Sequence, residues 1–303
     1  MTDKPRRLRL GAATRFDRGS DWLAGLFSVR FGAGEGRLVP NLRAVIRSIL
    51  LVAWTTLAVS VQAFLILLPG RPKIVFARFF WTVFTHVLGI RVRVIGAPCY
   101  LTDRRPVVFA AGHSSWIDIA VLGGILDTAF ISKNDVAEWP LVSVVARLGR
   151  TVFVSRQRSS TGRELTEISE RLAEGGNLVL FPEGTTSDGS RVLPFRSSFF
   201  AVTDAGTPII VQPVSVVYDR MAGLPTGRSS RPLMAWYGDM EIAPHYWQTA
   251  RRKGVRATVL LHAPLDPTAF PSRKELALAS WTAVATGSAI LRQNRIPPPE
   301  TTA

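Results

Sequence analysis

His113 and Asp118 stand five residues apart in GHSSWID, Gly112 to Asp118, directly after the apolar run PVVFAA in a chain with only four histidines. An imidazole that offers one nitrogen to an alcohol and the other to a carboxylate is a general base. The carboxylate fixes the tautomer and stabilises the imidazolium that forms. Residues five apart on one helix are turned about 140° from each other, so the pair meets only if His113 lies in a turn between strand and helix. The flanking residues place it there, because PVVFAA ends at Gly112 and Ser115 is suited to cap a helix beginning at Trp116. Asp118 then falls in the first helical turn. The same residues read equally as an S-x-x-D capping box, with Asp118 bonded only to backbone N–H groups and His113 a plain loop residue.

A second constellation, NLVLFPEGTTSDG from Asn177 to Gly189, puts Glu183, Gly184 and the hydroxyls of Thr185, Thr186 and Ser187 after another β-type run. Open α/β sheets gather ligands at such strand ends. Backbone N–H groups around Gly184 and the hydroxyls can cradle an anion, with Lys133, Arg156 and Arg196 as sources of positive charge. No GxxxxGK[ST] motif is present, so alone this loop is a weak phosphate signal.

The elements that must position these residues read as short strands: RVRVIG, PVVFAA, TAFIS, TVFVS, NLVLF and PIIVQPVSVVY, then LMAWYGDM and VRATVLLHAPL. Helical stretches alternate with them. TGRELTEISERLAEGG carries a capping box at Thr161 and Glu164, and SRKELALASWTAVATGSAILRQ reads as a terminal helix. The alternation predicts an α/β fold, with a mixed, largely parallel sheet flanked by helices.

A membrane-embedded helical pair is expected ahead of the sheet. Ser48 to Leu68 holds no charged residue, and as a helix it is about 30 Å long, enough to cross a bilayer core. Ile74 to Ile90, with Arg78, His86 and its aromatics, suits the headgroup level. Arg43 and Arg47 precede the first helix, while Arg71 and Lys73 follow it. The positive-inside rule therefore favours neither end, as in a re-entrant hairpin that enters and leaves on the cytoplasmic side. A buried helix of a soluble domain is the plain alternative. The expected divisions are a basic lead over 1–41, a membrane-associated helical segment over 42–90, a catalytic domain over 91–292 and a tail over 293–303.

The chain's 37 Lys and Arg against 22 Asp and Glu give +15, which points to negatively charged partners. With no recognition motif for nucleic acid and an apolar helix in place, membrane lipid is the expected partner and nucleic acid is not. The lone Cys99 offers no disulfide, and the four histidines show no metal-ligand spacing, so no metal is expected.

Together the two boxes resemble the glycerolipid acyltransferase family, whose best-known members acylate lysophosphatidic acid. HSSWID matches its H-x-x-x-x-D box and FPEGT its F-P-E-G-T box. TVFVSR, ending at Arg156, looks like its arginine-bearing strand, FISKNDVAEWP its Lys and Pro segment, and VQPVS around Pro213 its fourth box. The resemblance implies a membrane-bound lysolipid O-acyltransferase of phospholipid or ornithine-lipid biosynthesis. In it His113 deprotonates a lysolipid hydroxyl, which attacks an acyl thioester on acyl carrier protein or coenzyme A. Asp118 would orient His113, and backbone donors at the adjacent helix N-terminus would stabilise the oxyanion. Glu183, Gly184, Thr185, Thr186, Arg156, Lys133 and Arg196 would bind substrate, with no cofactor beyond the thioester co-substrate. The catalytic domain would face the cytoplasmic side of the inner membrane.

Two positions depart from the pattern. Gly112 replaces the asparagine common before the histidine, and Thr186 stands where many lysophosphatidic acid enzymes have an arginine suited to phosphate. FPEGTTSDG, VLPFRSSFF, WYGDM and SRKELA look more like the lyso-ornithine lipid acyltransferases, whose acceptor is an aminolipid with a free hydroxyl and no phosphate. Arg156 and Arg196 keep a dual-acceptor enzyme open. A serine esterase is the weaker rival, since Trp116 fills the second glycine position of G-x-S-x-G. A non-catalytic lipid-binding module is the stronger one.

Overall fold

The computed structural model describes residues 38–133, 152–154, 168, 170–204 and 206–295. Helices α1 (Leu38–Ile66) and α2 (Pro72–Leu88) come first. They are followed by β1 (Ile90–Ile95), β2 (Val107–Ala111), α3 (Ile117–Ile125), β3 (Ala129–Lys133), β4 (Val152–Val154) and β5 (Leu178–Leu180). The remainder is β6 (Ile210–Met221), β7 (Leu224–Pro225), α4 (Ile242–Arg251), β8 (Val255–Leu261) and α5 (Arg273–Arg292). The strand order is β1-β8-β6-β2-β5-β3-β4, with β7 on β6. Among the described residues, β8 and β7 run antiparallel to β6 and every other pairing is parallel, the mixed and largely parallel sheet that the sequence predicts.

The central strands are unbroken apolar runs because both of their faces are covered. Val107, Phe109 and Ala111 of β2 pack with Ile117, Leu122 and Leu126 on one side. Val108 and Ala110 pack with Leu178, Leu180, Phe200 and Leu276 on the other. The carboxyl ends of β2, β5 and β6 therefore share one end of the sheet. β1 and β8, running against β6, begin at that same end.

LMAWYGDM is not a strand. A 3-10 turn over Arg231–Leu233 leads into irregular chain, and Gly238 takes a left-handed φ of 62°. Met234 and Ala235 are buried, and the Trp236 N–H donates to the Ser114 carbonyl at 2.8 Å. The apolar residues thus cover the turn before α3 instead of joining the sheet. The terminal helix forms as expected, with Ser272 Oγ accepting from the Glu275 N–H. Of TGRELTEISERLAEGG only the end is described: 170–173 are helical, while Thr161 and Glu164 lie outside the described residues.

α1 buries a narrow seam of Ala44, Leu51, Ala58 and Gln62 and exposes Leu42, Ile46, Ile49 and Leu50. By length and composition, at a mean hydropathy of 2.1, it can cross a membrane. Its first turns are pinned at the active-site end of the sheet. Arg43 Nη1 donates to the Arg251 carbonyl at 2.8 Å, and Arg47 Nη1 to those of Ala250 and Arg252 at 2.9 and 2.8 Å. These cations satisfy the carbonyls that a helix C-terminus leaves open. α2 docks on α3, where the Trp81 ring covers Gly123 and Thr82 Oγ1 donates to the Gly124 carbonyl at 3.1 Å.

A Cβ at Gly123 would lie 2.5 Å from the Trp81 ring. Gly123→Leu should therefore force the helices apart at a cost of about 1–3 kcal/mol, read as a lower melting temperature in detergent. A variant as stable as the parent would show that Trp81 does not seat on Gly123.

Candidate active site

β2 ends at Ala111, and the Gly112 N–H still reaches the Val214 carbonyl at 3.1 Å, so the chain leaves the sheet at His113. Asp118, in the first turn of α3, is wholly buried at 0% exposure. A carboxylate without water needs protein donors, and Asp118 has four. Its Oδ2 accepts from His113 Nδ1 at 3.0 Å, the Ser114 N–H at 2.7 Å and the Ser115 N–H at 2.9 Å, and its Oδ1 from the Tyr218 hydroxyl at 2.6 Å. Both readings of GHSSWID hold at once: Asp118 caps the backbone and also grips the ring. The imidazole stacks on Phe181, with centroids 3.9 Å apart and planes at 17°. With Nδ1 held by Asp118, Nε2 is the nitrogen left for a substrate proton.

The FPEGT loop grips the same turn from the other side. Glu183 is 2% exposed. Its Oε1 accepts the His113 N–H and its Oε2 the Leu193 N–H, each at 2.7 Å. The Ser187 N–H donates to the His113 carbonyl at 2.9 Å. Gly184 turns the chain through a left-handed φ of 69° that favours glycine. Burial pushes the Glu183 carboxyl up to about 7, against the opposing pull of its two N–H donors. Burial likewise pushes the Tyr218 hydroxyl well above its ordinary range.

Several backbone donors at the start of α3 have protein partners: the His113 N–H goes to Glu183, the Ser114 and Ser115 N–H groups to Asp118, and the Ile117 N–H to Ser115 Oγ at 3.4 Å.

A cavity of about 30 Å³ opens at this turn, lined by His113, Glu183, Tyr218, Arg231 and Arg292 among others. Arg196 is not among its lining residues. Its N–H donates to the Pro182 carbonyl at 2.9 Å, and its guanidinium lies against Gly184. Thr185 is exposed and Thr186 half-buried. Lys133 ends β3 opposite Val154, its side chain outside the described part, and Arg156 lies outside the described residues. Gly112 is closely packed: a Cβ there would sit 3.2 Å from Val284 Cγ1 and 3.6 Å from Glu183 Oε1, so a larger residue would need the Val284 side chain to shift. Reading the sequence misses Tyr218, Arg231 and Arg292. Tyr218 carries a faint signal, as a polar-tipped ring in an otherwise apolar strand; the arginines carry none.

The remaining titratable residues near the core are structural. Trp116 Nε1 donates to His245 Nδ1 at 3.0 Å, and His262 Nε2 pairs with Ser215 Oγ at 2.9 Å. Burial pushes the Cys99 thiol up to about 11. Among the described residues no group of His, Cys, Asp and Glu is placed to hold a metal.

A family model described as Acyltransferase matches residues 91–217. The chain is 37% identical over 241 residues to a lyso-ornithine lipid O-acyltransferase of Rhizobium meliloti (strain 1021), covering 77% of this chain and 82% of the relative. It is 30% identical over 152 residues to a 1-acyl-sn-glycerol-3-phosphate acyltransferase of Neisseria gonorrhoeae, covering 48% and 55%. Among solved structures, the 1-acyl-sn-glycerophosphate (LPA) acyltransferase PlsC of Thermotoga maritima aligns with a TM-score of 0.57 at 25% identity, over 84% of this chain and 100% of that one.

Glu183→Gln replaces an accepting oxygen with a donating amide, so one loop tether is lost at a cost of about 1–3 kcal/mol. The native carboxyl titrates near 7 against an ordinary 4.5, so between these values the folded state holds the extra proton. Wild-type stability attributable to Glu183 therefore falls as pH rises through that window. The gap in melting temperature between wild type and variant should narrow from pH 4.5 to 7. A gap that is flat or widens would contradict the raised carboxyl.

Proposed function

The chain belongs to the acyltransferase family, and from that premise we propose that it is a lysolipid O-acyltransferase of membrane-lipid biosynthesis with lyso-ornithine lipid as its preferred acceptor. The observation that carries the reading is the His113–Asp118 pair at the carboxyl end of β2, with the carboxylate buried and held by four donors and His113 Nε2 left open. His113 Nε2 takes the proton of the lysolipid hydroxyl as its oxygen attacks the thioester carbonyl. Asp118 holds Nδ1–H and stabilises the imidazolium. The tetrahedral intermediate collapses with loss of the thiolate, which recovers the proton from Nε2. An ester and a free thiol result, with no acyl-enzyme. Glu183 acts as a positioning residue, since both of its oxygens hold backbone N–H groups.

The two-thirds or more of the lyso-ornithine lipid O-acyltransferases spanned by this chain, together with Thr186 in the FPEGT loop, support the choice of acceptor. The net charge of +15 suits an anionic membrane surface and an acidic acyl carrier protein as thioester donor, with coenzyme A the alternative. The protein is membrane-associated, and its working place is the cytoplasmic face of the inner membrane.

The test offers labelled acyl thioesters of both carriers, with lyso-ornithine lipid and lysophosphatidic acid in parallel, to detergent-solubilised protein. His113→Ala should lower turnover by about 10²–10⁴-fold, and Asp118→Asn comparably, because Nδ1 loses its acceptor. Product on lysophosphatidic acid alone would move the acceptor. No product on either lipid from folded protein would make the chain a lipid binder.

A further inference from the structure

We propose that Arg231 and Arg292 form the headgroup site for the acceptor, a guanidinium pair that grips a carboxylate or phosphate on the lipid whose hydroxyl faces His113. The inference rests on the reading of the chain as a lysolipid acyltransferase.

The two arginines come from distant elements. Arg231 opens the 3-10 turn before the Trp236 segment, and Arg292 closes α5. Both line the cavity that His113 lines. Arg231 Nη2 donates to the Arg292 carbonyl at 3.0 Å, which caps the end of α5. That single bond does not account for the pair. Arg231 Nε is buried with no partner, and neither guanidinium forms an ion pair among the described residues. Burial and the neighbouring Arg231 charge hold Arg292 below its ordinary range. Asp188 and Glu183 are near enough for negative charge there to favour the protonated Arg292, but among the described residues neither forms an ion pair with either guanidinium.

Two half-buried like charges with no ion-pair partner in contact among the described residues repel each other, and an anion that joins them relieves that repulsion. Arginine forks fit both candidate anions in two-bond geometry. An ornithine acylated on one amine keeps its carboxylate, and a lysophosphatidic acid carries a phosphate. Arg196 lies against Gly184 and does not line the cavity, while the exposed Arg191, after the FPEGT loop, lines it and adds to its positive charge.

Steady-state transfer by Arg231→Gln, Arg292→Gln and Arg292→Lys would be compared with wild type on lyso-ornithine lipid, its carboxyl methyl ester and lysophosphatidic acid. Each Gln variant should raise the KM for the anionic acceptor about tenfold or more, with the donor KM unchanged and Arg292→Lys intermediate. Wild type should disfavour the methyl ester, and the Gln variants should lose that preference. A KM effect confined to lysophosphatidic acid would name phosphate as the anion gripped. An unchanged acceptor KM, or a rise in donor KM instead, would overturn the site. If Arg292→Gln does not fold, Arg292→Lys, which keeps charge and stem, must still raise the acceptor KM. A parallel titration of His113→Ala protein with lyso-lipid micelles needs no turnover. Arginine-dependent binding there supports the site even if wild type proves inactive, an outcome that would overturn only the acyltransferase reading. Equal binding with and without the arginines would refute the site itself.

Discussion

The Asp118 carboxylate is the constraint on which the rest of the site depends. With 0% exposure it has no water to turn to, so its stability in the fold requires all four donors together. Those donors belong to the turn after β2, to the start of α3 and to Tyr218 on β6. Charge-assisted hydrogen bonds contribute roughly 1.5–3 kcal/mol each, and an unpaired buried charge costs more than any one of them returns. Seating α3 against β6 and orienting the imidazole are therefore one event. Glu183 repeats the device from the opposite loop, and the His113 backbone is held through its N–H and its carbonyl while Phe181 sets the ring plane. An imidazole fixed through Nδ1, its ring face and its backbone needs little rearrangement to act through Nε2.

A similar sharing of donors fixes the long apolar helix α1 to the end of the sheet that holds His113. Arg43 and Arg47 enter the open C-terminus of α4, and Ser48 Oγ meets the Tyr246 hydroxyl at 2.9 Å. α1 thus starts at the end of the sheet where His113 lies, and its exposed Leu42, Ile46 and Ile49 face outward beside that end. Acyl chains held in a bilayer by this helix would have their polar ends close to the catalytic turn. Joining the apolar face to the site through backbone carbonyls keeps that spacing constant.

Most strands were legible because both of their faces are buried, so β2, β5 and β6 read as unbroken apolar runs between turn residues. LMAWYGDM shows the limit of that rule. Its apolar residues are buried too, but over the Ser114 turn, a difference that composition does not carry. Arg43 and Arg47 read as charges flanking a membrane helix, whereas their role is set by carbonyls some two hundred residues downstream. Gly112 looked like a lost side chain, and in the fold it is packed closely between Val284 and Glu183. The His113–Asp118 pair was legible because its members are five residues apart. Tyr218, Arg231 and Arg292 were not, because only the folded sheet brings them to it.

The charges around the cavity bear on which acceptor suits the site. Asp188 sits between Ser187 and Gly189, which line the cavity, and its negative charge is near enough to favour the protonated form of Arg292. Beside a doubly charged phosphate such a carboxylate is a repulsive neighbour. Beside a lipid carrying both a carboxylate and an ammonium the same charge is not repulsive overall. Replacing a phosphate-gripping arginine by Thr186 in the FPEGT loop acts in the same direction, because it removes positive charge that a zwitterion does not need. Mixed charge at the mouth of the His113 turn would thus favour a zwitterionic headgroup over a doubly charged phosphate.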